Sequence, residues 1–457
     1  MKPSHTFRAV FDDPNLVSSA GLVPVLQLAK SAGWYELLEG LSVPSPRAAV
    51  KVSSVVGGML AGAASIDDLD LLRHGAMGRL FDDVRAPSTL GTFLRSFSHG
   101  HVQQLDRAGA ALLVGLGERV RGLLGGAGAR TDELVMVDID DTVRAVYGHA
   151  KQGAAFGYTG VRGLNVQLAT LSSDSCAPVI AQARLRSGNA AAQVGAPRLI
   201  AQALNIARRA GITARLMVRA DSAFYWHKFL GAIERAGAWF SITVRMNRQI
   251  QQAISAIDPE SWHAIKYQDS VWDERERRWV SDAELAEVPF VAFTRRASQR
   301  VTCRLIVRRV KRLIPRTEGG SAQGELFDTY RYHAFITNSD LPLVIADKRH
   351  REHAIIEQVI AELKNGPLAH LPSGKYAANA AWVACAAIAF NLARAAAVAC
   401  ERPRARWATI RTRIINIPAR VARTARRVVL HLPTDWKWQR QWHKLWHHAT
   451  GPPTALS

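Results

Sequence analysis

The run Leu134-Val-Met-Val-Asp-Ile-Asp restricts the fold more than any other part of this chain, because it is a β-rich apolar segment that ends in carboxylates. Two segments follow it, Leu164-Asn-Val-Gln-Leu-Ala-Thr-Leu and Val179-Ile-Ala-Gln-Ala-Arg-Leu, and both alternate like paired antiparallel strands. A helical stretch over 197–210 and a Gly211 break then lead to a strand, Ala214-Arg-Leu-Met-Val-Arg-Ala-Asp221. A second helix over 224–236 leads to the strand Trp239-Phe-Ser-Ile-Thr-Val. Three early strands, then helices alternating with strands, predict an α/β fold of the α+β kind: a mixed sheet covered by helices.

The chain is 457 residues long, too long for one compact core, and divides into two or three domains. Residues 1–128 read as a helical N-terminal region, whose expected role is DNA binding if it holds a helix-turn-helix. Its helix starts are marked by Ser65 and by Pro87-Ser88-Thr89. A helix-turn-helix and a plain helical bundle both fit this stretch. Residues 129–250 form the first part of the sheet domain. Residues 251–329 lose the periodicity, carry Trp262, Trp272 and Trp279, and read as a mostly β insertion with a loop at Gly319-Gly-Ser-Ala-Gln-Gly. Tyr332-His-Ala-Phe-Ile-Thr resumes the sheet in 330–400, followed by a helix over 348–364. Residues 401–457 read as a basic, helical C-terminal region.

Composition bears on partners more than on fold. Lysine and arginine total 59 against 38 acids, a formal net charge of +21, which points to a polyanion and first of all to nucleic acid. The four cysteines are scattered without a C-x-x-C pair, which argues against a zinc site or a disulfide framework and suits a reducing cytosol. Met1–Pro14 has charges and no apolar core, unlike a signal peptide. The apolar stretch from Ala377 to Cys400 is interrupted by Asn379, Asn391 and Arg394, so a buried helix is expected there and no membrane partner.

The candidate chemistry lies in carboxylates. Asp138 and Asp140 are two apart on one strand and face the same way, whereas Asp141 faces the other side and reads as a turn cap or a solvent-facing acid. Asp221 ends a second apolar strand. An acid where a buried strand gives out is poorly explained by packing, because burying it unpaired is costly. A third acid, Glu357, sits on a helix whose apolar side is Ile355, Ile356, Val359, Ile360 and Leu363. Lys364 lies two turns after it on the same face, and His353 and His350 precede it there.

This set resembles the DDE transposases of bacterial insertion sequences. One large group of these has a β-rich insertion between the second Asp and the Glu, and a third-acid helix carrying a Tyr-Arg-Glu-Lys series at fixed spacing. Glu357 and Lys364 match that series, with His350 in the Tyr position and His353 in the Arg position. Asp140-Asp141-Thr142 matches the family's first Asp followed by x-Thr, which favours Asp140 over its rival Asp138. Val218-Arg-Ala-Asp221-Ser matches the second Asp. Gly157-Tyr-Thr-Gly and Leu432-Pro-Thr-Asp-Trp-Lys-Trp extend the likeness over most of the chain.

The resemblance implies a ribonuclease-H-like core in which Asp140, Asp221 and Glu357 hold two Mg²⁺ or Mn²⁺ ions. Asp138, Thr142, His350, His353 and Lys364 would support them, with His353 and Lys364 positioning phosphate. The implied reaction cleaves transposon ends and joins the freed 3′-OH to target DNA. The implied partners are double-stranded DNA, as terminal inverted repeats and as target, and a second copy of the chain, forming a homodimer on DNA. The implied location is the bacterial cytoplasm, at the nucleoid. One of the insertion tryptophans would assist a hairpin step in some relatives. Residue density makes Arg402, Arg404, Arg406, Arg411, Arg413, Arg420, Arg423, Arg426 and Arg427 candidates for a phosphate-tracking helix. An inactive DNA-binding relative and another ribonuclease-H-like nuclease are the competing readings.

Overall fold

A computed structural model describes residues 5–6, 8–125, 133–265, 271–273, 278–280, 283–311, 330–424 and 427–451. Its centre is a ten-stranded mixed sheet. Strands β1 (Leu134–Ala145), β2 (Arg162–Ser172) and β3 (Val179–Ser187) form an antiparallel meander. Strand β4 (Arg215–Ala220) then pairs parallel to β1, and β5 (Trp239–Thr243) parallel to β4. The order β3-β2-β1-β4-β5, three antiparallel strands followed by two parallel ones, is the ribonuclease-H-like arrangement expected from the sequence.

The crossovers follow from local chemistry. Helix Ala196–Arg209 buries Leu199, Ile200, Ala203, Leu204, Ile206 and Ala207 on one stripe. It stops where Gly211, at φ 76°, enters the left-handed region. The N–H of Gly211 then reaches the carbonyl of Arg208, and that of Ile212 the carbonyl of Ala207. Helix His227–Arg235 ends by the same device at Gly237, so each helix is turned back into the next strand.

The insertion does not stand apart from the sheet. Strands β6 (Ala283–Ala292), β7 (Val301–Lys311) and β8 (Tyr330–Thr337) are antiparallel, and β8 pairs with β5. The β-rich insertion is thereby a continuation of the central sheet. The Gly319 loop falls outside the described residues.

The helical N-terminus is likewise part of one body. Helices Leu22–Ser31, Ala48–Ala61, Pro87–Arg95 and His99–Arg119 share a continuous hydrophobic core with the sheet. At its centre runs helix Tyr376–Ala399, long and apolar enough to cross a membrane, of which 89% of the apolar window is buried within the protein. The polar residues that interrupt it each have a buried task. Asn391 accepts from the N–H of Ile180 and donates to its carbonyl, both at 2.8 Å, completing the open edge of β3. Arg394 donates to Glu362 at 2.9 Å and to the Ala405 carbonyl at 2.6 Å.

The C-terminal region differs from the expected helix. Ala419–Thr424 and Arg427–His431 form an antiparallel hairpin, joined on its outer side by Leu16–Val17, and among the described residues only Gln439–Thr450 is a long helix. The β-branched run Val428-Val429 and the alternation of Arg420, Val421 and Ala422 suit a pleated strand better than a helical stripe.

Candidate active site

Parallel pairing of β1 with β4 sets Asp138 opposite Arg219, and β4 ends one residue later at Ala220. Beyond that point β1 loses its neighbour on this side, and the two strands part with Asp140 on one lip and Asp221 on the other. Such a split at the carboxyl ends of parallel strands is where open α/β sheets place ligands. Strand β1 itself does not stop at the acids as expected, because it continues to Ala145 paired with β2.

The structure separates the two rivals on β1. Asp138 is fully buried, with both oxygens bound by Arg219 at 2.7 Å, and Oδ1 also meets His353 Nδ1 at 2.9 Å. Burial alone would raise this carboxyl. The Arg219 guanidinium and the His353 hydrogen bond outweigh it and hold the carboxyl below the usual range. Asp138 is therefore fully engaged inside the protein. Asp140, two residues on, is half-buried and, among the described residues, accepts only the N–H of Asp141, at 2.7 Å. Desolvation, and the charges of Asp221 and Asp141, push its carboxyl up to about 6 against the opposing effect of the Asp141 N–H and of His353.

Asp221 accepts the N–H of Ala223 at 2.9 Å as it starts the turn Ser222–Phe224. Its carboxyl is also raised, by desolvation first and then by Asp141, with the Ala223 N–H, His353 and Arg245 opposing. Asp141 is neither a turn cap nor a solvent-facing acid. It is buried in an ion pair with Arg186, whose guanidinium also binds Asn165 and the carbonyls of Ala191 and Val194. Thr142 is a buried strand residue opposite Val166.

The single helix expected over 348–364 is instead two helices, Leu343–Arg351 and Ile355–Lys364, joined by a tighter turn at Glu352–Ala354, so His350 and His353 lie outside the helix of Glu357. His350 does not contact phosphate from where it lies. Its ring stacks on Phe335 at 4.0 Å and hydrogen-bonds Ser241 and Thr243, and desolvation pushes it down to about 3, so it is neutral. His353 is turned inward to Asp138. Glu357 is exposed on helix Ile355–Lys364, which packs on β1. It lies between His353 and Lys364, both of which interact with Asp140. Desolvation and Arg144 lower the Lys364 ammonium, with Asp140 opposing. Among the described residues, no group of three or more His, Cys, Asp or Glu side chains is close enough to hold a metal, so Asp140, Asp221 and Glu357 do not form one cluster here.

Two contributors carry little signal in the sequence. Arg219 is the buried counter-charge that takes Asp138 out of the site, and its signal in the sequence is an arginine at an interior, buried position of the strand. Tyr158, highly exposed in the Gly157-Tyr-Thr-Gly turn, has its phenol raised by desolvation and by Asp141, Asp140 and Asp221, so it lies near the same acids.

Of the insertion tryptophans, Trp262 packs under the Arg309 guanidinium at 4.1 Å, beside Tyr332. Trp272 and Trp279 oppose each other on paired strands, and their side chains fall outside the described residues. The C-terminal arginines spread over a loop, a short helical turn and the hairpin. Arg402, Arg404, Arg406, Arg413, Arg420 and Arg423 are exposed and Arg411 half-buried. Arg402 lies over Trp438, Arg404 donates to the Asp174 carbonyl, and Arg420 pairs with Asp13 at 3.4 Å. Arg426 and the side chain of Arg427 fall outside the described residues. Among the described residues, no single helix carries these arginines.

The family model described as transposase DDE domain group 1 matches residues 3–449, nearly the whole chain. No curated protein matches it.

Proposed function

The chain belongs to the DDE transposase family, and from that membership we propose that Asp140, Asp221 and Glu357 are its catalytic acids, cutting transposon ends and joining the 3′-OH to target DNA. The observation that carries this reading is the strand split. It puts two carboxylates with raised pKa side by side, and neither has a hydrogen-bonding cationic partner among the described residues.

Hard oxygen donors held together against their mutual repulsion fit divalent cations such as Mg²⁺ or Mn²⁺. Asp140 and Asp221 would hold them first, with Glu357 joining from its exposed face of the helix. Two such ions would supply an activated water and stabilise the leaving oxygen of the phosphodiester. The chain's own residues do the rest. Asp138 and Arg219 fix the floor of the split, and Asp138 fixes the His353 ring through Nδ1. Lys364 would meet a phosphate oxygen beside Asp140, and Tyr158 lies near the same acids. The partners of this reading are duplex DNA, as terminal repeats and target, and a second copy on the DNA, working in the bacterial cytoplasm at the nucleoid.

The test is cleavage of a duplex carrying the terminal inverted repeat that flanks the coding sequence. Mg²⁺-dependent nicking that Asp140→Asn, Asp221→Asn and Glu357→Gln each abolish is the expected result. Full activity in Glu357→Gln removes that residue from the site. Binding without nicking in the wild type makes the chain an inactive relative.

A further inference from the structure

At the outer edge of the sheet, away from the catalytic acids, helices His99–Arg119 and Ala196–Arg209 and strand β3 enclose a cavity of about 250 Å³. Four arginines converge on it: Arg107 from the first helix, Arg184 from β3, and Arg198 and Arg209 from the second helix. One carboxyl, Asp106, faces them. Gln182, nearly buried on β3, lines the floor. We propose that this cavity is a phosphate-binding site, filled by a backbone phosphate of DNA or by a free phosphate compound.

Arg184 is half-buried, and Arg107, Arg198 and Arg209 are exposed around it, so the cavity presents four positive charges to an incoming anion. None of the four arginines forms a salt bridge among the described residues; Arg184 spends one N–H on Gln202 at 3.1 Å. Their remaining donors are unspent, and guanidinium forks match the paired oxygens of a phosphate. Asp106 neutralises them only in part, because burial pushes its carboxyl up to about 7 despite Arg184 and Arg107. The uncharged Gln182 can donate to an anion without adding a competing charge. Strand β3 is two strands from β1, with Asp141, Gln167 and Arg184 in register across the sheet. A phosphate held here would therefore be distinct from one at Asp140.

The site does not depend on the catalytic assignment, since it is read by binding alone. The experiment uses the full chain with Arg198→Glu and Arg209→Glu together. The control is an equal charge change at exposed Arg235 and Arg296, and folding of all proteins is checked by circular dichroism. One arm titrates labelled duplex DNA by anisotropy over a range of salt. The other follows inorganic phosphate and a nucleoside triphosphate by calorimetry.

If DNA fills the site, the pocket variant binds duplex at least roughly tenfold more weakly than the control, and its salt dependence loses about one to two phosphate contacts. If a free phosphate compound fills it, the calorimetric signal disappears in the pocket variant and persists in the control. Loss in neither arm, or equal loss in the control, overturns the proposal.

Discussion

Asp138 and Asp140 are two residues apart on one strand face, yet replacing each by asparagine should move stability in opposite directions. Asp138 is buried against Arg219 with two 2.7 Å bonds. Removing one partner of such a pair leaves a buried charge uncompensated and costs about 3–5 kcal/mol. Asp140 is the reverse case, because folding pushes its carboxyl from 3.8 to about 6. At about 1.36 kcal/mol per unit this is a penalty of about 3 kcal/mol at most. Solvent screening in a half-open site brings it to about 1–2 kcal/mol. With an unfolding entropy of about 2.1 cal/mol/K per residue, each kcal/mol moves the Tm of a chain this long by about 1 °C. Asp138→Asn should therefore melt about 3–5 °C below wild type, and Asp140→Asn about 1–2 °C above it, in metal-free buffer near pH 7 by calorimetry.

The pH dependence carries the same signs. The depressed Asp138 carboxyl contributes stability that is present above its unfolded value of 3.8 and lost as pH falls through the lower folded value, so its variant's deficit should vanish in strong acid. The raised Asp140 carboxyl costs nothing below 3.8, and its cost grows as pH rises to about 6 and is constant above. The advantage of Asp140→Asn should appear over that interval. A neutral Asp138→Asn, or an Asp140→Asn that destabilises, would refute the separation of the two acids into floor and site.

Three further outcomes are expected. Mg²⁺ should raise the Tm of the wild type, and this gain should shrink as pH falls below about 6, where Asp140 takes up its proton; a gain that is unchanged at pH 5, or unchanged in Asp140→Asn, contradicts metal binding there. Asn391→Leu should destabilise by about 1–3 kcal/mol, because Ile180 loses the partners of both its backbone groups, and denaturant unfolding reads this directly. Tyr158→Phe should retain metal-dependent stabilisation while slowing cleavage if the phenol hydroxyl contacts substrate; single-turnover rates equal to wild type would remove it from the reaction.

The alternation of strands and helices made the central sheet legible, since Leu134–Asp140, Leu164–Leu171, Val179–Leu185 and Ala214–Ala220 are short, β-rich and cleanly bounded. The same bounds gave Asp221 its strand-end place. The C-terminal hairpin was less legible, because arginine tolerates helix and strand alike and its density drew attention to charge instead of to the paired valines. The likeness to a motif placed Glu357, His350 and His353 on one helix face, but motif spacing says nothing of which side chains turn inward.

Sequence alone determined the periodicities, and through them the strand order's raw material, the acids and the strongly basic balance. Tertiary structure alone decided which acids are available. Arg219 neutralises Asp138, Arg186 neutralises Asp141, and the parting of β1 from β4 leaves Asp140 beside Asp221. The physical reason is that a carboxylate's role depends on its partners and its exposure. Those partners lie tens to hundreds of residues away along the chain, so only the folded protein brings them together.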